Sequence, residues 1–530
     1  MPRRNVVAAG DPRSVDAGIA MLRAGGNAVD AAVAATFAAF VAEPVLTAPF
    51  GGGFATVGGE GIEPVSYDFF SEVSGRGLGP ASEQEGLDFR DVSVNFGPTT
   101  QVFHVGRGSV AASLLLPGLV RLHRDLGALP LVEIVQPAIE LAQNGVVLSD
   151  KVGPILKILE PIMRLTPESE ALFAPGGMLL GAGDRFVNPD MAELLRSVGT
   201  GELDVAREAF LAELGPPAGR LTEADLDAVE VHKSPPLAVT VAGYEFLLTP
   251  PPSSGGLLVA FGLKLLERVP TSDWDDDADA MCNLLACMSV TQAARKAMLD
   301  RSIADGGEAL DGLAERFLAD SFVDSWRERF ARAVANGPIP DDAPDPTRGS
   351  TTHVSVIGAE GLACAITSSN GEGCGHVVLG TGALANNFLG EEDLHPHGFH
   401  TLAAGARLSS MMCPTVVLRH GKPVLALGTG GSNRIRTAIL QVLVSHLFRK
   451  LPIDDSVQAP RIHYEGKALY VEKRGPETAM SASALEAIQK RVPEVVLFDE
   501  PNMFFGGVHA AATGGRGAGD MRRGGRVSFI

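Results

Sequence analysis

The spacing of hydrophobic residues changes along the chain, from a helical period near its start to strand-like alternation near its end. Apolar residues three and four positions apart predict a helix over residues 14–24, which two glycines stop. Asn27 can then cap a second, strongly apolar helix that ends at Glu43-Pro44. Residues 110–335 are mostly helical in pattern, and strand patterns dominate from 351 until a further helix at about 434–450.

Two predicted hairpins bring polar residues together. Strands over 352–357 and 362–368 flank a four-residue loop, and pairing 357 with 362 places Thr351 opposite Ser368 and beside Ser369. A shift of one residue in this register would change which serine faces Thr351.

The second predicted hairpin has the same arrangement. Strands over 410–418 and 423–427 flank a turn, and pairing 418 with 423 brings two pairs of residues together at the open end: Ser409 and Ser410 with Gly431 and Ser432. The helix at 434–450 begins directly afterwards. Its first backbone N–H groups lack partners within the helix, so they could stabilise an oxyanion.

The segment before Thr351 is rich in proline and aspartate over residues 337–346, as in an exposed loop that is easily cut. Thr351 therefore stands between such a loop and a predicted strand. Cleavage of the Ser350–Thr351 bond would leave a residue that supplies both a nucleophilic hydroxyl and a basic α-amino group. The sequence thus indicates a self-processing enzyme of the acyl-transfer class.

Composition narrows the class of protein. The 530 residues are 45% hydrophobic and 20% charged, with a net charge of −19, which argues against nucleic-acid binding. The sequence shows neither a signal peptide nor a membrane span. Five cysteines without zinc-ligand spacing favour a reduced, cytoplasmic protein. We expect no cofactor and no metal.

Several motifs occur together in an order typical of one family. They are Gly25-Gly26-Asn27-Ala28-Val29-Asp30-Ala31-Ala32, Glu43-Pro44, Gly51-Gly52-Gly53-Phe54, Pro250-Pro251-Pro252-Ser253-Ser254-Gly255-Gly256, Thr351-Thr352-His353, Leu408-Ser409-Ser410-Met411 and Gly428-Thr429-Gly430-Gly431-Ser432. With these motifs the chain resembles the γ-glutamyltransferases, members of the N-terminal-nucleophile hydrolases, over nearly its whole length.

The resemblance implies an αββα sandwich, of mixed α/β (α+β) class with a helical lobe at about 110–335. It also implies a proenzyme that cuts itself between Ser350 and Thr351. The fragments 1–350 and 351–530 would then form a heterodimer that builds one core and acts on a small-molecule amide. No nucleic-acid or membrane partner is implied.

The resemblance also assigns roles to residues. Thr351 matches the nucleophile, and Ser369 matches the hydroxyl that hydrogen-bonds it, although the family usually has threonine there. Gly431 and Ser432 match the two oxyanion donors. The predicted substrate-binding residues are Ser409, Ser410, Asn387, Glu391 and Phe70.

Phe70 and Phe388 depart from the family pattern. Phe70 stands where an arginine holds the glutamyl α-carboxylate, and Phe388 stands where the family has glutamine. A phenyl ring offers neither the charge nor the bidentate geometry of a guanidinium. Gly371 also replaces an asparagine, whereas Glu391 could still hold a cation. The residues that carry out the reaction are therefore retained, whereas several residues that bind the family's substrate are replaced.

Three functions remain open. The first is a γ-glutamyl hydrolase or transpeptidase acting on glutathione-like molecules. The second is an amidase for another short acyl group, comparable to oxamate amidohydrolase or the glutaryl-cephalosporin acylases, which the two phenylalanines favour. The third is an unprocessed relative that serves as a binding protein. The mass of the mature chains separates the third from the others, and a panel of acyl amides separates the first two.

Overall fold

Two antiparallel sheets form the centre of the protein. A computed structural model describes residues 4–95, 100–305, 307–340, 350–395 and 397–530. The first sheet has seven strands, which are, in spatial order, His232–Ser234, Val65–Phe69, Gly52–Gly59, Leu362–Ser369, Thr352–Ile357, Val6–Ala9 and Arg526–Phe529. The second sheet has six, which are Leu237–Val241, Tyr244–Leu248, Thr415–Arg419, Lys422–Gly428, His509–Ala512 and Arg516–Ala518.

The two sheets pack face to face through small and β-branched side chains. Helices cover the outer face of each sheet. Those on the side of the first sheet include Pro12–Arg23, Ala28–Ala42, Leu115–Leu126, Leu131–Asn144 and Pro189–Gly199. Those on the side of the second include Ser254–Leu266, Asp277–Ala294, Leu313–Leu318, Asp320–Ser325, Arg327–Asn336 and Arg434–Leu443. The architecture is the predicted four-layer αββα sandwich.

Shorter elements fill the periphery. The remaining α-helices of the described residues are Val152–Ile158, Glu160–Met163, Pro167–Phe173, Asp204–Leu214, Glu223–Ala228, Asp300–Asp305, Ile453–Gln458 and Ala482–Gln489. The small sheets pair Ser71–Glu72 with Ala112–Ser113, Arg90–Asn95 with Thr100–Val105, Val146–Val147 with Arg185–Phe186, and Val377–Val378 with Ala383–Leu384. A three-stranded sheet contains Ile462–Glu465, Ala468–Glu472 and Glu494–Phe498.

The two N-terminal helices are confirmed. The first covers Pro12–Arg23. Asn27 caps the second, Ala28–Ala42, because its Oδ1 accepts hydrogen bonds from the backbone N–H groups of Val29 and Asp30 at 2.8 and 3.1 Å. This helix is buried on all sides, which agrees with its lack of an amphipathic pattern.

The register predicted for the first hairpin is wrong by one residue. Ile357 pairs with Ala363, and Thr352 pairs with Ser368. The turn is longer than predicted because the Gly358 N–H donates to the carbonyl of Leu362 at 2.8 Å. This shift brings Thr351 to the level of Ser369 and turns Ser368 towards Thr47, whose hydroxyl donates to it at 2.9 Å.

The second hairpin is shorter than predicted. Leu418 pairs with Pro423 as expected, but a bulge follows between Val417 and Leu418. The strand begins at Thr415, so Ser409 and Ser410 lie in an irregular segment before it rather than on the strand.

The first sheet contains neighbouring strands from before and after the Ser350–Thr351 bond. Gly52–Gly59 pairs with Leu362–Ser369, and Val6–Ala9 pairs with both Thr352–Ile357 and Arg526–Phe529. The sheet is therefore built jointly by the two predicted fragments. Residues 341–349 of the predicted cuttable loop lie outside the described residues.

All five cysteines are buried free thiols. Within the described ranges, no helix combines the length and the apolarity needed to cross a bilayer.

Candidate active site

A cavity of about 560 Å³ opens where the ends of the two sheets meet. Seven of the nine residues predicted for the site line it, together with Ser350 and Phe388; the seven are Phe70, Thr351, Ser369, Glu391, Ser409, Ser410 and Ser432. Gly431 precedes Ser432 directly. Asn387 is buried behind the wall, where its side chain bonds to backbone groups of Glu372 and His104. The structure thus brings together residues that are distant in sequence.

Thr351 lies just ahead of the strand Thr352–Ile357, at the edge of the cavity. Its carbonyl accepts a hydrogen bond from Arg523 Nη1 at 3.1 Å. Gly430 packs so closely that a Cβ added there would lie 2.1 Å from the same carbonyl oxygen. Within the described part of the chain the Thr351 hydroxyl has no hydrogen-bond partner, so it is available to react.

Ser369 contacts the peptide bond that is predicted to break. Its hydroxyl donates to the carbonyl oxygen of Ser350 at 2.5 Å and accepts from the N–H of Gly371 at 3.1 Å. The second bond orients the hydroxyl so that its proton points towards Ser350. Ser369 therefore polarises the carbonyl carbon that Thr351 would attack.

Glu372 holds the same peptide segment from the other side. The N–H of Ser350 lies close enough to its carboxyl group to favour the ionised form, although Oε2 has no hydrogen-bond partner among the described residues. The Glu372 backbone N–H donates to Asn387 Oδ1 at 2.9 Å. Burial, and to a smaller degree the charge of Asp393, raises the pKa of Glu372 to about 8. A neutral carboxyl group is therefore favoured beside Ser350.

Gly431 and Ser432 stand at the beginning of the helix Arg434–Leu443. Their φ angles are +128° and +51°, in the left-handed region that is unusual for serine. Their carbonyls accept from the N–H groups of Arg434 and Ile435, whereas their own N–H groups have no acceptor among the described residues. Two free N–H groups at a helix start can serve as the predicted oxyanion donors.

The side chain of Ser432 explains how a serine is held in this conformation. Its hydroxyl donates to Asp393 Oδ2, and the neighbouring Asn433 Nδ2 donates to Asp393 Oδ1 at 3.2 Å. Asp393 thus fixes the turn that carries the oxyanion donors, in spite of a backbone strain of about 1–2 kcal/mol.

Ser409 and Ser410 are held by the proline- and glycine-rich segment before the helix Ser254–Leu266. The carbonyl of Ser410 accepts from the Ser253 hydroxyl at 2.6 Å and from the Ser254 N–H at 2.9 Å. The conformation of the serine pair is therefore set by a segment about 150 residues earlier, which gives this motif a structural role.

The two phenylalanines that depart from the family pattern form one apolar wall. The ring centroids of Phe70 and Phe388 are 4.6 Å apart, and Phe54 lies 5.6 Å from Phe70 on the other side. Neither ring can bind a carboxylate or an ammonium group by hydrogen bonds.

Glu391 lines the cavity, but Oε1 is buried without a hydrogen-bond partner among the described residues. Burial, and then the nearby Glu372 and Asp393 carboxylates, hold the pKa of Glu391 well above its usual range. The uncharged form of Glu391 is therefore favoured.

A third buried carboxyl group, that of Glu43, supports the strand that follows Thr351. The Thr352 hydroxyl lies 3.0 Å from each oxygen of Glu43, and burial raises the pKa of Glu43 to about 8. His353 points into the space between the sheets, where its ring nitrogens lie 2.7 Å from Thr367 and Ser355 hydroxyls. His353 is therefore not placed to act as a base for Thr351.

Sequence reasoning missed several residues of the site. The fold brings three residues from elsewhere in the chain to the Ser350–Thr351 bond or to Ser432: Glu372, Asp393 and Arg523. Of these three, Glu372 could have been suspected from the sequence, because its carboxyl group lies in a glycine-rich stretch close to Ser369.

Comparisons with known proteins identify the family of this chain. The family model described as Gamma-glutamyltranspeptidase matches residues 14–530. The "Acylase ACY 1 proenzyme" of Pseudomonas sp. (strain V22) is 30% identical over 494 residues, covering 90% of this chain and 86% of that protein. The "Glutathione hydrolase proenzyme" of Escherichia coli (strain K12) is 27% identical over 491 residues, covering 87% and 81%.

Among solved structures, the cephalosporin acylase from Bacillus halodurans has a TM-score of 0.79 and 20% identity, and the match covers 99% of this chain and 96% of that one. At this level of identity the likeness shows a shared fold. The match of the family model over residues 14–530 carries the assignment further: the chain belongs to the gamma-glutamyltranspeptidase family of N-terminal-nucleophile hydrolases.

Proposed function

We propose that this protein is a self-processing amidohydrolase in which Thr351 is the nucleophile and that its substrate is an acyl amide other than a γ-glutamyl compound. The first part of this proposal rests on the hydrogen bond from Ser369 to the Ser350 carbonyl, beside a Thr351 hydroxyl that has no hydrogen-bond partner among the described residues. The proposal of a substrate other than a γ-glutamyl compound rests on the contact between Phe70 and Phe388.

Self-cleavage begins when Thr351 Oγ attacks the carbonyl carbon of Ser350. The C–N bond breaks, the proton lost by the hydroxyl is transferred to the nitrogen of Thr351, and an ester joins Ser350 to Thr351 Oγ. Water then hydrolyses the ester, which gives a carboxylate on Ser350 and a free α-amino group on Thr351. The fragments 1–350 and 351–530 stay together because strands from both build one sheet.

In the turnover reaction the same hydroxyl attacks the substrate amide. The α-amino group, whose ordinary pKa is about 7.7–8.0, accepts the proton and later transfers it to the leaving amine. The N–H groups of Gly431 and Ser432 stabilise the oxyanion, each by roughly 2.7–4 kcal/mol by analogy with other enzymes. The acyl-enzyme is released to water or to an amine.

The character of the acyl group follows from the cavity wall. A γ-glutamyl donor carries an α-carboxylate and an ammonium group, and both need charged partners. Phe70 supplies none, and the carboxyl group of Glu391 is favoured in its neutral form. A relative of this chain is named an acylase, which supports the cleavage of an acyl amide.

A γ-glutamyl compound remains the second candidate substrate. Binding of an ammonium group could ionise Glu391, whose Oε1 has no partner among the described residues, and Ser409 and Ser410 could bind a carboxylate. The relative named glutathione hydrolase supports this alternative.

Intact mass spectrometry and a substrate panel test the proposal. The wild-type protein is expected as two chains whose masses sum to the precursor plus one water, and Thr351→Ala is expected as one chain without activity. Thr351→Ser, which keeps a hydroxyl, should still be cut. A single uncut but active wild-type chain would refute the assignment of the nucleophile. Faster turnover of γ-glutamyl than of other acyl p-nitroanilides would favour the second candidate.

A further inference from the structure

A second cavity, of about 200 Å³, shares a wall with the cavity beside Thr351. Leu402 lines both cavities, and Ala404 lines only the second of the two. A backbone hydrogen bond holds this wall in place, because the Gly405 N–H donates to the carbonyl of Val73 at 2.7 Å. The second cavity is therefore a separate space behind the candidate active site.

Arg220 is a buried cation in the wall of the second cavity, with an exposure of 7%. Its guanidinium contacts two glycines that also line the cavity: Nη2 donates to the carbonyl of Gly79 at 2.8 Å, and a Cβ added to Gly75 would lie 2.9 Å from the same nitrogen. Nη1 donates to Gln84 Oε1 at 2.7 Å. Both acceptors are uncharged, and no carboxylate pairs with Arg220 in the described part of the chain.

Burial makes this guanidinium group a binding partner for an anion. Burial lowers the pKa of Arg220, and the charge of Asp225 offsets that effect only in part. A buried charge without a counter-ion is costly, and a guanidinium group has five N–H donors, of which two have acceptors here. An anion in the cavity would reduce the cost and use the remaining donors.

His400 supplies a second donor at the same cavity. Its ring packs edge-on against Phe89, with the ring centroids 4.6 Å apart, and its backbone has a φ of +57°. Nε2 is buried and has no hydrogen-bond partner among the described residues. Burial, and then the charge of Arg220, lower the pKa of His400, so the neutral ring is favoured. A neutral imidazole with its proton on Nε2 can donate to an anion.

Acidic side chains do not occupy this space. The described residues that line the second cavity include no aspartate and no glutamate. Asp225, whose charge acts on Arg220, already accepts from the N–H groups of Gly75, Arg76 and Thr222 at 2.8, 3.0 and 2.9 Å. Arg76 Nη1 also lies 3.6 Å from it and offsets its charge. An anion beside Arg220 is therefore not excluded by a carboxylate.

The size of the cavity limits the ligand. A volume of about 200 Å³ is below the range of about 300–1,000 Å³ typical of drug-sized ligands, so a small molecule or ion fits. The planar guanidinium group matches the oxygens of carboxylates and phosphates. We infer that the second cavity binds a small oxyanion, inorganic phosphate or a short carboxylate, which accepts hydrogen bonds from Arg220 and His400. This site lies outside the proposed reaction and does not depend on it.

Calorimetry at constant ionic strength tests the inference, with inorganic phosphate and acetate as probes and chloride as the control. We expect the tighter-binding oxyanion, which identifies the ligand class, to have a Kd at least about 10-fold below that of chloride. His400→Phe keeps the contact with Phe89 and removes the Nε2 donor, so it should weaken binding about 10-fold or more. Arg220→Lys keeps the charge without the planar fork and should also weaken binding; if it does not fold, His400→Phe decides. Oxyanions that bind no better than chloride would overturn the inference.

Two further variants make the test specific. His104→Phe is the matched control, since His104 also packs against Phe89, at 5.4 Å, and its Nδ1 has no partner among the described residues, but it does not line the second cavity. Arg407→Gln removes a cation from the cavity beside Thr351. Both variants should bind the oxyanion as the wild type does. Binding that is weakened by Arg407→Gln and not by His400→Phe would place the anion in the other cavity and refute the inference.

Hydrogen exchange locates the bound anion. At saturation the oxyanion should slow exchange at least about threefold in peptides covering residues 71–81 and 400–406, and His400→Phe should abolish this effect. Slowing confined to residues 430–436 would instead contradict the inference. The uncut Thr351→Ala protein should respond as the mature protein does. Anion binding in a wild-type protein that cleaves no amide would support this site and refute the proposed function, whereas amide hydrolysis without anion binding would do the reverse.

Discussion

The hydroxyl of Ser369 donates a 2.5 Å hydrogen bond to the carbonyl oxygen of Ser350, the atom that would become negatively charged in the proposed attack by Thr351. This contact exists in the uncut chain, in which Thr351 has no free amine to act as a base. In the proposed mechanism the serine therefore acts on the processing step before the mature site is formed.

We expect Ser369→Ala to slow self-cleavage about 100-fold, because it removes one donor to the developing oxyanion. Ser369→Thr keeps the hydroxyl and should process at a rate close to wild type. A time course of intact mass after expression measures the rate. Ser109→Ala is the control, since Ser109 is also buried and donates to a backbone carbonyl at 2.7 Å, but elsewhere. Equal processing of Ser369→Ala and Ser109→Ala would show that the contact has no role.

Glu372 should affect cleavage and not turnover. Its carboxyl group lies near the N–H of Ser350, and Ser350 becomes the new C-terminus of the N-terminal fragment when the chain is cut. Glu372→Ala is expected to slow processing about 10-fold through loss of this contact, whereas Glu372→Gln retains a polar group there. The rate of amide hydrolysis per processed molecule should stay within about threefold of wild type. A proportional loss of turnover in fully processed protein would instead place Glu372 in the substrate site.

Gly430 should be intolerant of any side chain. A Cβ at this position would lie 2.1 Å from the carbonyl oxygen of Thr351, so Gly430→Ala must displace the nucleophile or the oxyanion turn. We expect a loss of processing and turnover of at least about 100-fold. Gly79→Ala serves as the control because no atom lies within 4 Å of a Cβ added there. Normal processing of Gly430→Ala would contradict the close contact.

Glu43 should make folding stability depend on pH. Burial raises its pKa to about 8 from an ordinary value of 4.5, so the folded protein retains a proton that the unfolded chain releases. The stabilisation from the neutral group is complete below about pH 4.5, decreases as the pH rises, and is lost by about pH 8. Its full range is on the order of a few kcal/mol.

Glu43→Gln, which is neutral at every pH, should therefore flatten the decrease in the free energy of unfolding between pH 5 and pH 8. Urea denaturation of protein in one processing state measures it, and Glu477→Gln, at an exposed position, is the control. The same slope in Glu43→Gln and wild type would mean that Glu43 is ionised in the folded protein.

Local sequence patterns were sufficient to predict several helices and strands, among them the helix that follows Asn27. Asn27 is predictable as a helix cap because an asparagine side chain can accept from the N–H groups two and three residues later, here those of Val29 and Asp30. The order of helices and strands, the αββα class and the motif residues around Thr351 follow from signals of this short range, together with the family resemblance.

Tertiary structure decided what depends on contacts between distant segments. A one-residue change of register placed Thr351 at the level of Ser369, and a strand that begins only at Thr415 left Ser410 in an irregular segment. The pairing of Arg407 with Asp68 joins residues 339 positions apart. Periodicity along a strand specifies which face a residue occupies, but the packing of whole sheets determines which residues from elsewhere lie opposite, so no local pattern could predict these contacts.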